Sequence, residues 1–176
     1  MKKLIALPFL LLSVSLYAQE HSIKINPLSI LLSTGNLSYE KKLSEDKSFQ
    51  LGIFYLGLKS GELKYSGIGI TPEYRFYFAG TKQALNGVYA APYMRYQNHS
   101  IKDSDSGENY KYSSIGGGGV MGWQKSYNSG FVLNIFAGFG YNAGKVHGSD
   151  GEKAPDLLFG IDRFGTRAGL TLGFWF

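Results

Sequence analysis

The chain has 176 residues, 18% of them charged, with a formal net charge of +5 and no cysteine. That length points to one domain, the lack of cysteine excludes a disulfide framework or a thiolate metal site, and so small a charge gives no reason to expect nucleic acid as a partner. The 24 glycines, 13 tyrosines and 12 phenylalanines depart from an average soluble composition.

The first element is expected to be a secretory signal peptide over residues 1–18. Lys2 and Lys3 supply its positive start, Leu4 to Leu16 its apolar run, and Ala18 the small residue before the cut. The run is shorter than the ~20 residues a spanning helix needs. The rest, 19–176, is then a single domain in which no apolar stretch is long enough to be a spanning helix. If that domain enters a membrane it must do so as a closed β-barrel, the only other form that satisfies every backbone group in lipid.

From here a two-residue alternation dominates, and turn signals divide the chain into strands expected near 22–32, 35–43, 48–59, 62–78, 86–99, 109–125, 130–144 and 163–176. In the third, Leu51 to Leu58 is apolar on both faces, so its register stays open. In the fourth, Ile68, Ile70, Pro72, Tyr74, Phe76 and Phe78 share one face, and Gly69, Thr71, Glu73, Arg75 and Tyr77 the other. Pro72 cannot donate to a ladder, so a bulge is expected there. The fifth sets Val88, Ala90, Pro92, Met94 and Tyr96 against Tyr89, Ala91, Tyr93, Arg95 and Gln97. The sixth contains "IGGGGVMGW", whose glycines hide its direction. The seventh sets Phe131, Leu133, Ile135, Ala137, Phe139 and Tyr141 against a face with Asn134 and Asn142. In the eighth, Ala168, Leu170, Leu172, Phe174 and Phe176 oppose Gly165, Arg167, Gly169, Thr171, Gly173 and Trp175.

Connections after the second, fourth and sixth strands are short or modest, whereas those after the fifth and seventh are long and polar. This asymmetry fits a barrel with periplasmic turns and extracellular loops. A soluble eight-stranded barrel has the inverse pattern, apolar inside. The expected fold is therefore all-β: an eight-stranded, antiparallel, up-and-down transmembrane β-barrel in the cell outer membrane, with outer-membrane lipids and lipopolysaccharide around it.

Four stretches also carry a resemblance. "IKINPL" at Ile23, "GNLSYEKKL" at Gly35 and "PEYRFYF" at Pro72 resemble a family of small bacterial outer-membrane β-barrels described only as a domain of unknown function. "LTLGFWF" at the C-terminus resembles the terminal strand by which outer-membrane barrels are recognised for assembly. The resemblance implies the same eight-stranded fold and address, the barrel-assembly machinery as a partner, and Phe174 and Phe176 as the assembly signal. It implies no reaction.

The inward set contains Lys24, Asn26, Glu40, Glu73, Arg75, Arg95 and Arg167. Narrow barrels are filled by side chains, and buried charges must be paired, so this set is expected to form a structural polar network. Glu73 and Glu40 should each hold a guanidinium or a lysine. His99 and Ser100 are adjacent but alternate in direction, which argues against a nucleophile and its base. "GGGGVMG" lacks the ending of a phosphate loop, and "DSDSGE" from Asp103 lacks the terminal ligand of a calcium loop. No catalytic residue, cofactor or metal site is expected. The expected role is structural or surface-interacting, with the ligand of the loops unassigned. A carrier or channel for small apolar molecules is the alternative, and requires an apolar, unplugged upper lumen. A lipid-modifying barrel enzyme comes third.

Overall fold

The structure, a computed structural model, describes residues 20–61, 63–103, 109–147 and 163–176. The expected signal peptide, residues 1–18, lies outside them. So do most of "DSDSGE" and much of the long connection after the seventh strand.

Eight strands form one closed antiparallel barrel in chain order. They are β1 (His21–Ile25), β2 (Thr34–Lys42), β3 (Lys47–Ser60), β4 (Leu63–Gln83), β5 (Asn86–Asp103), β6 (Asn109–Ser126), β7 (Phe131–His147) and β8 (Arg163–Trp175), with a short helix α1 (Pro27–Leu31) between β1 and β2. Closure is made by β1 against β8, from Ser22 opposite Trp175 to Ile25 opposite Leu172. At the seam His21 N–H donates to Phe176 O at 2.9 Å, and Phe176 N–H donates back to His21 O at 2.8 Å. Both ends of the described chain thus lie at one rim, here called the lower rim. The turns Leu43–Asp46 and Tyr127–Gly130 lie there too.

Alternation sets the wall. On β4 the even-numbered residues Ile68, Ile70, Phe76 and Phe78 are exposed outside, while Thr71, Glu73, Arg75 and Tyr77 are buried inside. β3, ambiguous in sequence, is decided by pairing: Gly52 sits opposite Thr71 and Ile53 opposite Ile70, so Gln50, Gly52 and Phe54 face inward and Ile53 and Tyr55 outward. The glycine-rich strand is settled the same way, with Ile115, Met121 and Trp123 outside and Ser114, Val120 and Gln124 inside. One of its glycines makes room for a ring. A Cβ on Gly122 would fall 2.5 Å from the Tyr89 ring, so only glycine lets that tyrosine lie flat against β6.

Three expectations are corrected. The first strand does not run to residue 32: it ends at Ile25, and Pro27–Leu31 is helical. Asn26 caps that helix, its Oδ1 accepting from Leu28 N–H at 3.1 Å and Ser29 N–H at 3.3 Å, and Pro27 occupies the first turn, where no amide hydrogen is needed. No bulge marks Pro72, which sits in register opposite Leu51. On its other side the β4–β5 pairing keeps one register from Leu63 to Tyr77, with pairs absent beside Pro72 and Pro92, where amide hydrogens are missing. The irregularities lie between Tyr77 and Gln83 instead, in a stretch the sequence marks as a connection but which continues β4.

Candidate functional site: the barrel interior

The interior has a filled lower half and an open upper half. Below, Glu40 is the hub. Its carboxylate pairs with Lys24 Nζ and accepts from Ser48 Oγ, from Arg75 Nη1 at 3.2 Å, from Tyr77 OH at 2.8 Å and from Gln124 Nε2 at 3.1 Å. Arg75 also donates through Nε to Glu73 at 2.7 Å and lies over the Tyr89 ring, 4.2 Å from its centroid. Arg167 Nη1 donates to the other oxygen of Glu73 at 2.7 Å. Lys24, Glu40, Glu73 and Arg75 are each at most 2% exposed. Charges so far from water persist only when paired and hydrogen-bonded, as these are.

The floor is completed by the turn between β4 and β5. Ala84 and Leu85 are buried in the lower mouth, and Leu85 adopts a left-handed φ of 71°. That conformation is costly for a branched side chain. It aims the Leu85 carbonyl at two donors, Gln124 Nε2 at 3.1 Å and Ser126 Oγ at 2.6 Å. A second strut crosses the barrel from Tyr89 OH to Asn134 Oδ1 at 2.8 Å, and on from Asn134 Nδ2 to Thr171 Oγ1 at 2.9 Å.

Above this floor the lumen opens into a cavity of about 380 Å³. Arg95, Arg167, Gln50, Gln97, His99 and Asn142 line it, together with Asn26 at the start of α1. An interior filled throughout by its own side chains is therefore true only of the lower half. Arg95 donates through Nε to Thr71 Oγ1 at 3.3 Å, and among the described residues no carboxylate pairs with it. His99 lies between the rings of Phe54 and Tyr112, while Ser100 alternates to the opposite side of β5.

Of the seven residues singled out in sequence, five meet in one chain of contacts: Lys24, Glu40, Arg75, Glu73 and Arg167. Arg95 stands apart, higher in the lumen, and Asn26 serves as a helix cap and cavity wall. Phe174 is exposed outside; Phe176 lies just past β8 and stacks on His21, with centroids 5.9 Å apart. Sequence reasoning missed Gln124 and Ser48, which sit in the network. Gln124 has the parity of Val120 and follows the glycine run, so once that strand's direction is known its inward position follows.

The sequence matches the family described as "Protein of unknown function (DUF3575)" over residues 4–153. Comparison with curated proteins gives no match. Comparison with solved structures gives none either.

Proposed function

From a chain that belongs to the DUF3575 family, whose description supplies no activity, we propose an outer-membrane barrel, closed at its periplasmic base, with a structural or surface-binding role and no catalytic one. The observation that carries this reading is the inversion of polarity. Ile23, Leu37, Ile68, Met94, Ile115 and Ile135, on six different strands, are all exposed on the outer wall, while carboxylates, guanidiniums and amides fill the inside. In water that belt would be an apolar patch far larger than soluble monomers carry. In lipid it is the ordinary outer face of a β-barrel, and closure leaves few strand edges for lipid to meet.

The described helix is short, and no described helix is long and apolar enough to cross a membrane, which is silent about strands. In this reading the lower rim faces the periplasm and the rim with the longer connections faces outward. A carrier of apolar molecules is disfavoured by the basic, amide-rich lining of the upper lumen. Cell fractionation, with boiled and unboiled samples on denaturing gels, tests the reading. Recovery in the outer-membrane fraction with a faster unboiled band is expected; a soluble periplasmic protein with no such shift overturns it.

A further inference from the structure

The interior network is not balanced in charge. Among the described residues, Lys24, Arg75, Arg95 and Arg167 face only Glu40 and Glu73, four cations to two carboxylates. The deficit is local. Glu40 serves Lys24 and Arg75 at the base, Glu73 is shared between Arg75 and Arg167, and Arg95 has no carboxylate among the described residues. Both upper guanidiniums are nevertheless held in place. That of Arg95 lies 5.6 Å from the Phe54 ring centroid and 5.9 Å from that of Tyr93. That of Arg167 lies 4.7 Å from Tyr93 and 5.0 Å from Phe136. Two arginine forks thus flank one tyrosine ring at the wall of the open cavity, Arg95 ordered by stacking and by Thr71, Arg167 by stacking and by one oxygen of Glu73.

β3 presents a second unmet group to the same cavity. Gln50 is 5% exposed and lines the same cavity, and among the described residues nothing donates a hydrogen bond to its Oε1. A buried amide oxygen in that state is costly unless a donor arrives from the cavity.

The barrel wall is incomplete beside this cavity. β1 is only five residues, about 17 Å at ~3.3 Å per residue. It pairs with β8 from Leu172 to Trp175 alone, so among the described residues the length of β8 from Arg163 to Thr171 is paired on one side only, to β7. The notch is occupied by α1, which packs against β2 and β8 and leaves Leu28, Ile30, Leu31 and Leu32 exposed. Ser29 and Leu32 on one side of the notch, and Gly165 to Ala168 on the other, line the cavity. The polar chamber therefore reaches the wall at a point bordered by apolar helix side chains.

We propose that the upper lumen binds an anionic amphiphile: an acidic head, phosphate or carboxylate with a hydroxyl or other donor, between Arg95, Arg167 and Gln50, and an apolar tail leaving through the notch between α1 and β8. Guanidinium forks engage either acid through paired N–H donors. The closed floor makes this a cup, so the ligand enters and leaves above the Glu40 network rather than crossing it. The head site stands on the chamber alone, whereas the exit of the tail rests on the membrane reading given above.

The test is isothermal titration of the purified full barrel in phosphatidylcholine nanodiscs with dodecyl phosphate, dodecanol and inorganic phosphate. Dodecyl phosphate should bind saturably at one per barrel, at least 10-fold tighter than inorganic phosphate, and dodecanol should show only unsaturable partitioning. Arg95→Gln, which breaks no ion pair among the described residues, should weaken dodecyl phosphate at least 10-fold; Arg95→Lys, keeping charge without the fork, should fall between and serves if the glutamine variant does not fold. Equal binding of dodecyl phosphate to wild type and both Arg95 variants overturns the head site. Saturable dodecanol binding of similar strength overturns it too, and inorganic phosphate binding as tightly as dodecyl phosphate overturns the notch. Any of these in a barrel that still fractionates with the outer membrane leaves the proposed location intact.

Discussion

Glu40→Ala is the perturbation whose cost the structure defines best. Five side chains donate to this one carboxylate: Lys24, Ser48, Arg75, Tyr77 and Gln124. Its loss does not orphan both cations. Arg75 keeps Glu73 through Nε, and its Nη1 keeps Gln124 Oε1 at 3.0 Å. Among the described residues, Lys24 loses its only carboxylate and keeps a single neutral acceptor, Gln124 Oε1 at 2.8 Å. One uncompensated buried charge costs about 3–5 kcal/mol. The Ser48 and Tyr77 hydroxyls lose an acceptor as well, at ~1–3 kcal/mol each if nothing replaces it. The truncation leaves polar space that water can enter and satisfy them, so about 5 kcal/mol is the expected total. The measurement is urea unfolding of the barrel refolded into phosphatidylcholine vesicles, followed by tryptophan fluorescence. Lys24→Met combined with Glu40→Leu is the control. It removes the pair rather than half of it, and apolar replacement of a buried pair is often neutral or better, so most of the loss should return. A Glu40→Ala barrel within about 1 kcal/mol of wild type would mean that water already reaches the base and that the hub is not a dry network.

Three further outcomes follow from the same geometry. Ile135→Arg, on the exposed outer face of β7, should cost about 2–4 kcal/mol in vesicles, measured in the same urea titration, while Ile135→Phe stays near wild type; equal effects would remove that face from lipid. Gly122→Val should destabilise by about 1–3 kcal/mol because the new side chain meets the Tyr89 ring, and Tyr89→Ala in the same background should relieve the strain, a coupling read by a double-mutant cycle. An epitope tag inserted between residues 104 and 108 should label on intact cells, and one at Asn128–Ser129, in the lower turn, only after permeabilisation; the reverse would invert the barrel.

Strand faces were legible in sequence because alternation is a local property. Each residue's direction follows from its neighbours two positions away, and on β4, β5, β7 and β8 apolar and polar residues are segregated cleanly enough to read it. The inward set followed from that, including Glu40, Glu73 and Arg75. Alternation also misled, since Leu28, Ile30 and Leu32 have the spacing of a strand face yet continue into α1. There the Asn26–Pro27 pair is a helix-start signal of a few residues, outweighed by a longer pattern. What only the tertiary structure decided is who meets whom. Lys24 and Gln124, a hundred residues apart, touch because closure of β1 against β8 brings β1 and β6 across one narrow bore. The registers of β3 and β6 came from their partners, because apolar residues on both faces and runs of glycine carry no direction of their own. The open upper chamber, Arg95 with no carboxylate among the described residues above a filled base, and the notch beside β8 have no local signature. They arise from strand lengths set against one another around a ring, a comparison that no single segment contains.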